Sequence, residues 1–388
     1  MHRGLSRWLS ISHISSGFIA VLVGYTSSAA IVFQAAHTVG ASPAEISSWL
    51  WALGIGMGAT CIGLSLYFKS PILTAWSTPG AALLITGLAG LPLSEAIGIF
   101  LFNSLLITIA GFSGWFERLM RHVPKSLAAA MLAGVLLRFG LDVFVVLPTQ
   151  GVLVGLMLVC YLLGRRFFPL YAVPTTFLIG LLVASTQGLL VFESIRVEFA
   201  QPVFMPPTFV LSSLIGVGLP LFVVSMASQN VPGLAVLRAN GYNTPASPLV
   251  GWTGFTGLLL APFGGFSFNL AAITAAICIS KDSDPDPKRR YLATVWAGIF
   301  YLLTGIFGAT VVNIFAAFPS ALIIGIAGLA LLGTIGNGLV VALQDEKERD
   351  AALITFLVTA SGLALFGIGS GFWGLLFGMA TAWINRRN

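Results

Sequence analysis

The sequence contains few charged residues. Only 8% of its 388 residues are Asp, Glu, Lys or Arg, whereas 57% are hydrophobic, and an average soluble domain has about 25% charged residues. So few charges cannot cover a surface that faces water. The longest polar stretches, 192–207 and 280–290, are too short to form a soluble domain. We therefore expect one membrane-embedded unit, although the length alone would permit two or three soluble domains.

Cysteine is scarce too, and the motifs of soluble enzymes are missing. Cys61, Cys160 and Cys278 lie singly in apolar runs, without a CxxC motif or a histidine at ligand spacing, which argues against disulfides and metal sites. No HExxH motif or phosphate-binding loop occurs, and 111–114 lacks the strand context of a nucleophile elbow. We predict a protein that is not an enzyme and has no cofactor or metal.

Long apolar runs dominate the chain. A helix needs roughly 20 apolar residues to cross about 30 Å of hydrocarbon, and fourteen such segments are separated by charges, prolines or glycines. This pattern predicts an all-α polytopic membrane protein with about fourteen transmembrane segments, or twelve if two segments are re-entrant. The predicted spans begin near His13, Ile46, Ser70, Ser94, Pro124, Gly151, Tyr171, Phe209, Pro248, Pro262, Tyr291, Val312, Ala351 and Gly369.

The basic residues indicate how the spans are oriented. All of the 19 Lys and Arg residues except Arg138 and Arg196 fall in alternate loops, and such a bias marks the cytoplasmic face. Both termini are then cytoplasmic. The bias also accounts for the net charge of +6 without a nucleic-acid partner.

Landmarks recur between the two halves. Pro71 and Pro262 open the third and tenth spans, Pro124 and Pro319 open the fifth and twelfth, and the polar first and eighth spans end near Gly40 and Gly241. The offsets are 191, 195 and 201 residues. Similar offsets indicate an internal repeat, and an odd number of spans in each half requires opposite topology. The predicted inverted repeats are residues 1–192 and 205–388.

The third and tenth spans contain breaks. Pro71 and Pro79 prevent one continuous helix, and Thr78 before Pro79 is typical of an N-cap followed by proline. Asn269, after a glycine-rich entry, is the corresponding N-cap by the offset of 191. Non-helical backbone at membrane depth is tolerated where it is buried or lines a cavity. The alternative is that the prolines and glycines only kink two ordinary helices.

Two inverted half-helices would point their N-termini at one region near the midplane. Each N-terminus carries a partial positive charge and free N–H groups. The sequence therefore predicts an anion site that does not require Lys or Arg.

Polar side chains interrupt the first and eighth spans. Tyr25, Ser27 and Ser28 lie in the first, and Gln229 and Asn230 lie in the eighth. Because amides are costly in hydrocarbon without partners, we expect these residues to face a cavity. The two serines fit equally well as hydrogen-bonding links between helices.

Arg138 and Asp142 lie four residues apart within the fifth span. A local ion pair is the simpler interpretation. A role in gating or proton transfer is the alternative, because ionisable residues within spans are often functional.

Six motifs spread over nearly the whole chain carry a family resemblance, namely 24–30, 73–83, 126–134, 226–230, 271–278 and 348–352. With these motifs the sequence resembles the BenE family of benzoate/proton symporters of bacterial inner membranes. The resemblance implies uptake of a benzoate-like aromatic carboxylate together with a proton. More distantly, the chain is similar to the uracil-permease and sulfate-permease architecture, which implies a core of spans 1–4 and 8–11 and a gate of spans 5–7 and 12–14.

The resemblance and the broken spans together predict the binding site. The substrate carboxylate is expected at the two half-helix N-termini, with Tyr25, Trp76 and Phe268 flanking its ring. Where uracil permeases have a glutamate, this chain has Gln229 and Asn230, which would not repel an anion. The predicted substrate-binding residues are Tyr25, Ser27, Ser28, Trp76, Ser77, Thr78, Gln229, Asn230, Phe268 and Asn269.

Several points stay open at the level of sequence. The proton could travel on the ligand or use Asp142, and a homodimer is neither required nor excluded. Alternative functions are transport of a nucleobase or an inorganic anion, an anion channel, and an intramembrane enzyme, the last of which lacks a visible nucleophile and base.

Overall fold

The computed structural model describes residues 10–116, 124–190, 197–281, 283–363, 365 and 370–385, except for the side chains of residues 26, 27, 170 and 239. Three of the predictions above fall on residues outside this description, namely Arg196, the Ser27 side chain and the span start near Gly369. The same holds for six of the basic residues counted in alternate loops, which are Arg3, Arg7, Arg118, Arg121, Arg386 and Arg387. The described helices in the first half are α1 (Ile11–Thr38), α2 (Pro43–Phe68), α3 (Thr78–Gly87), α4 (Leu93–Phe112), α5 (Lys125–Val146), α6 (Gly151–Phe167) and α7 (Ala172–Thr186). Those in the second half are α8 (Leu211–Arg238), α9 (Ala246–Leu260), α10 (Ile273–Ile279), α11 (Tyr291–Ile306), α12 (Gly308–Ala316), α13 (Ser320–Leu343), α14 (Arg349–Ala360) and α15 (Ser370–Asn385).

Local sequence signals set the start of α2. The Ser42 side chain accepts a hydrogen bond from the Glu45 amide, and the Glu45 carboxylate accepts one from the Ser42 amide at 2.7 Å. Pro43 occupies the first helical position, where its missing N–H has no consequence. This capping box begins the helix three residues before the predicted Ile46.

Five of the described helices are long and apolar enough to cross a bilayer. Two bent helix pairs raise the number to seven if each pair counts as one span. Several other helices are shorter than the roughly 20 residues that a continuous span needs. The chain is therefore a helical polytopic membrane protein, and the count of fourteen spans stays a prediction. The five helices are α2, α4, α5, α8 and α13.

The predicted break in the third span is confirmed. Strand β1 (Thr74–Trp76) precedes α3, whose 10 residues extend about 15 Å, half of the hydrocarbon thickness. The predicted cap was wrong by one residue. Ser77 is the N-cap, because its hydroxyl accepts a hydrogen bond from the Gly80 amide at 3.0 Å. Thr78 is the first helical residue.

The tenth span is also broken, but its half-helix begins later than predicted. Asn269 lies in strand β2 (Phe268–Leu270), and α10 begins at Ile273 after Ala272. The prediction that Asn269 caps this helix was wrong, because its backbone pairs with β1 and its amide group donates to the Ser267 carbonyl at 2.9 Å. Asn269 therefore does not correspond to Thr78.

The twelfth span begins at Ser320, not near Val312. Val312 lies in the separate short helix α12, and Pro319 is the N-cap of α13. Proline has no amide hydrogen and disfavours a helical residue before it, so one helix cannot continue across residues 317–319.

Close helix pairs surround the two strands. Helix α2 packs along α11, α4 along α9, and α5 along α13. A Cβ added at Gly54 of α2 would lie 2.4 Å from the Cα of Gly305 on α11. The two backbones can approach this closely only because both positions lack a side chain.

We expect Gly54→Ala to destabilise the protein, because the new methyl group would force α2 and α11 apart, at about 1–3 kcal/mol. Gly63→Ala in the same helix is the matched control, since a Cβ there meets nothing within 4 Å. Thermal unfolding in detergent should give a lower melting temperature for Gly54→Ala alone. Equal melting temperatures would contradict the close contact.

Candidate functional site

The two broken spans meet through a short antiparallel sheet. Thr74 pairs with Leu270, Ala75 with Asn269 and Trp76 with Phe268. Except for the partly exposed Ala75, the strand residues are buried. A hydrocarbon environment offers no partners to extended backbone, so each strand satisfies the peptide groups of the other. This pairing holds the start of α3 and the approach to α10 side by side.

Helix α2 supports strand β1 from behind. The Thr74 hydroxyl lies 2.6 Å from that of Thr60, and the Thr74 amide donates to the Cys61 sulfur at 3.2 Å. The Trp76 amide donates to the Met57 sulfur at 3.2 Å. Cys61 is thus a buried structural residue, in agreement with its interpretation as a small apolar side chain.

Helix α8 supports strand β2 through Asn230. The Asn230 side-chain oxygen accepts a hydrogen bond from the Leu270 amide at 2.9 Å. Asn230 ends a π-helical turn, Met226–Asn230, and such turns are frequent at functional sites. Because Asn230 is fully buried, its side chain holds the strand in this conformation and does not face an opening.

Ser267 organises a second set of buried contacts beside β2. Its carbonyl accepts a hydrogen bond from the Ser77 amide at 3.1 Å. Its hydroxyl accepts a hydrogen bond from the Asn103 amide group at 3.2 Å and forms a second hydrogen bond with the Ser225 hydroxyl. The Ser267 φ angle of 46° is in the left-handed region, which is uncommon for a residue other than glycine. Sequence analysis missed Ser267 and Asn103, since no local pattern marks them.

The N-terminus of α3 retains little free hydrogen-bonding capacity. Pro79 has no amide hydrogen, and the Gly80 amide is capped by Ser77. Of the first three helical residues, Thr78 alone is left with an amide that could bind a ligand. Thr78 is partly exposed, whereas Ser77 is fully buried.

Tyr25 and Trp76 form the aromatic part of the site. Their rings meet edge to face at 4.9 Å between centroids. The Trp76 ring N–H donates to the Ser28 hydroxyl, which in turn donates to the Gly24 carbonyl, both at 2.8 Å. Ser28 therefore links α1 to β1. The Tyr25 hydroxyl is buried and lies beside the Thr304 side chain.

The predicted site residues fall into two groups in this conformation. Tyr25, Thr78 and Gln229 are partly exposed and lie on three different elements. Phe268 is fully buried, and its ring packs closely against Gly56 of α2. The buried group is Ser28, Trp76, Ser77, Asn230, Phe268 and Asn269.

Arg138 and Asp142 do not form the ion pair that their spacing suggested. No salt bridge within 4 Å joins these two described residues, and Arg138 is exposed. A four-residue spacing brings side chains onto one face of a helix, but here Arg138 points outward from α5.

One buried ionisable pair was missed altogether. His13 entered the sequence analysis only as the start of the first span, yet its side chain is fully buried and its Nε2 lies 2.8 Å from a carboxylate oxygen of Asp284. The two residues are 271 positions apart, so no sequence spacing connects them. Within the described part of the chain, no cluster of three His, Cys, Asp or Glu residues could hold a metal ion.

Comparison with known proteins identifies the family. The family model described as BenE, benzoate membrane transport protein, matches residues 8–384. The chain belongs to this family. It is 52% identical over 363 residues to inner membrane protein YdcO of Escherichia coli (strain K12), covering 94% of this chain and 93% of that protein. It is 39% identical over 375 residues to the benzoate membrane transport protein of Acinetobacter baylyi, covering 97% and 95%.

Solved structures share the fold of this BenE family member. The transmembrane domain of the cyanobacterial bicarbonate transporter BicA aligns with a TM-score of 0.62 and 13% identity over 97% of each chain. SLC26A9 aligns with a TM-score of 0.56 and 12% identity over 95% of this chain, which spans 65% of the SLC26A9 chain. The protein is thus a multi-pass bacterial inner membrane transporter with an SLC26-like fold, and not an enzyme.

The hydrogen bond from the Leu270 amide to the Asn230 side chain is expected to stabilise β2, and substitutions at Asn230 test this. Asn230→Ala leaves the Leu270 amide buried without an acceptor, which costs about 1–3 kcal/mol, so we expect a lower melting temperature. Asn230→Asp keeps an acceptor oxygen and should recover part of the loss. Gln229→Ala, one residue away and partly exposed, serves as the control and should unfold like the wild type. Equal unfolding of Asn230→Ala and wild type would rule out this support.

Proposed function

We propose that this BenE family member is a secondary active transporter that takes up benzoate or a related aromatic carboxylate together with a proton. The observation that carries the proposal is the site at the paired strands, where aromatic and neutral polar groups meet. Tyr25 and Trp76 provide ring contacts, and Gln229 and the Thr78 amide provide hydrogen-bond donors. The Acinetobacter baylyi relative is named as a benzoate transporter, in agreement with this chemistry.

The composition of the site favours an organic anion. None of the predicted binding residues is acidic, so a carboxylate meets no like charge. A benzoate-like acid, with a carboxyl pKa of about 4, is ionised at neutral pH. One proton moving with one carboxylate makes the step electroneutral, and the pH gradient then drives uptake.

The buried residues other than Trp76 act behind the binding surface in this proposal. Ser28 positions Trp76, Ser77 caps α3, and Asn230 and Asn269 hold β2. Phe268 fills the space between β2 and α2. The ligand would contact Tyr25, Trp76, Thr78 and Gln229 directly, and Ser27, whose side chain lies outside the described residues, belongs to the same region of α1. Arg138 and Asp142 of α5 are proposed to act in gating or proton transfer.

The same proposal includes two inverted repeats of seven spans, 1–192 and 205–388. The helix pairs support it. In an inverted repeat α2 corresponds to α9 and α11 corresponds to α4, and both α2–α11 and α9–α4 pack extensively. It also turns β1 into β2. Spans 1–4 and 8–11 form the core, and spans 5–7 and 12–14 form the gate. Both termini are cytoplasmic, and the unit works alone or as a homodimer.

Uptake into proteoliposomes tests the function. We expect labelled benzoate to accumulate when the outside is more acidic than the inside, and to equilibrate without accumulation when the gradient is absent. Unlabelled nucleobases and bicarbonate should not compete. Absence of accumulation under every gradient would contradict symport, and currents far faster than a carrier cycle would indicate a channel.

The Tyr25 hydroxyl provides a test of the site. It is buried beside Thr304, and we expect it to donate a hydrogen bond to the bound carboxylate. Removing a hydrogen bond to a charged group costs about 1.5–3 kcal/mol, so Tyr25→Phe should raise the apparent KM for benzoate at least tenfold. Tyr67→Phe is the matched control, because Tyr67 is 81% exposed. Equal KM values in both variants would remove Tyr25 from the site.

A further inference from the structure

A buried histidine ties the start of the first helix to the loop that follows the tenth span. His13 lies in the first turn of α1 and is 0% exposed. Its Nε2 is 2.8 Å from an oxygen of Asp284, which lies between α10 and α11. Neighbouring contacts bring the same two segments together, since a Cβ on Gly17 of α1 would meet the Ala293 carbonyl of α11 at 2.7 Å.

The carboxylate of Asp284 is held in its ionised form. Burial raises the pKa of Asp284, but hydrogen bonds from the Asp286 amide and from His13, together with the charge of Arg289, outweigh burial and keep that pKa below its usual value. The Asp286 amide lies 2.9 Å and the Arg289 guanidinium 3.6 Å from the carboxylate. The Arg290 side chain donates to the Asp284 carbonyl at 2.8 Å.

The imidazole of His13 has one ring nitrogen on Asp284 and a second nitrogen that can accept a proton. Histidine is the side chain that ordinarily titrates between pH 5 and 8. With Nε2–H donating to Asp284, the Nδ1 atom keeps a lone pair, and Nδ1 is buried without a partner among the described residues. A proton bound at Nδ1 turns the hydrogen bond into a buried ion pair, and charge-assisted bonds of this kind are about twice as strong as neutral ones.

The pair joins the two segments that lead to the candidate site. Tyr25 lies twelve residues after His13 on the same helix, about 18 Å away at 1.5 Å per residue. Asp284 follows α10, which ends at Ile279, and α10 leads back to β2. A change in the attachment of His13 to Asp284 therefore acts on α1 and on the tenth span together.

We propose that His13 and Asp284 form a proton-binding site at the cytoplasmic end of the molecule. Transport is fast when this site has taken up a proton from the cytoplasm. The inference rests on the proposed function and orientation. The charge of the site also depends on the titratable groups around the loop that follows α10, of which Asp282 lies outside the described residues. The described groups around this loop are Lys69, Tyr242, Cys278, Lys281, Asp286, Lys288, Arg289, Arg290 and Tyr291.

The experiment compares wild type and His13→Gln in proteoliposomes of defined orientation. Labelled benzoate uptake is measured at constant external pH while the internal pH is set to 6, 7 or 8. The protonated fraction of an ordinary histidine falls more than tenfold between pH 6 and 8. We expect the wild type to be about tenfold faster than His13→Gln at internal pH 6 and to match it at pH 8, where glutamine resembles neutral imidazole. His37→Gln, which alters the exposed histidine at the other end of α1, should follow the wild type at every pH.

A ratio between wild type and His13→Gln that does not change with internal pH would overturn the proposal. If His13→Gln fails to fold, Asp284→Asn removes the charge of the partner and should abolish the same dependence on internal pH.

Failure of the proposed function gives a different result, because the wild type itself would then not accumulate benzoate. The proton site is in that case judged by thermal unfolding. Between pH 6 and pH 8 the melting temperature should fall further for the wild type than for His13→Gln, because protonated His13 forms the ion pair and neutral His13 does not. Equal losses would overturn the proton site.

Discussion

The structure depends on satisfying backbone hydrogen bonds in a region that offers no water. Two spans stop being helical near the centre of the molecule, and their exposed peptide groups would each cost several kcal/mol in hydrocarbon. The antiparallel pairing of β1 with β2 supplies partners for both strands at once. The surrounding contacts follow from this constraint. The Asn230 side chain accepts a hydrogen bond from the Leu270 amide of β2, and the Ser77 side chain accepts one from the Gly80 amide at the start of α3. A change in one broken span therefore alters the other.

The same constraint explains why most of the predicted binding residues are buried. A short strand in a membrane needs side chains as well as backbone to complete its hydrogen bonds, so Ser28, Asn230 and Asn269 are used to hold the strands. The partly exposed side chains of Tyr25, Thr78 and Gln229 are then left to meet a ligand. Polar residues in the spans of this protein thus fall into two groups, those that hold the strands and those left to contact a ligand. The sequence does not distinguish the two groups.

Much of this arrangement can be predicted from sequence, and the rest depends on distant contacts. Pro79 and the glycine-rich entry to the tenth span reveal the two breaks, because proline and glycine act locally. The pairing register cannot be predicted, since a three-residue strand is too short to show a period of two. The position of Asn269 in a strand, the left-handed backbone of Ser267 and the burial of His13 all depend on residues far away in the chain.

A neutral site built in this way constrains the kind of substrate that it can serve. The terminus of a ten-residue helix stabilises an anion by about 0.3–2 kcal/mol, which is too little to hold a small inorganic ion against its hydration. An aromatic carboxylate can add the burial of its ring, at about 25 cal/mol per Å² of apolar surface, and edge-to-face contacts with Tyr25 and Trp76. Selectivity would then rest on the ring, and the modest electrostatic attraction would leave the anion free to dissociate on the other side of the membrane.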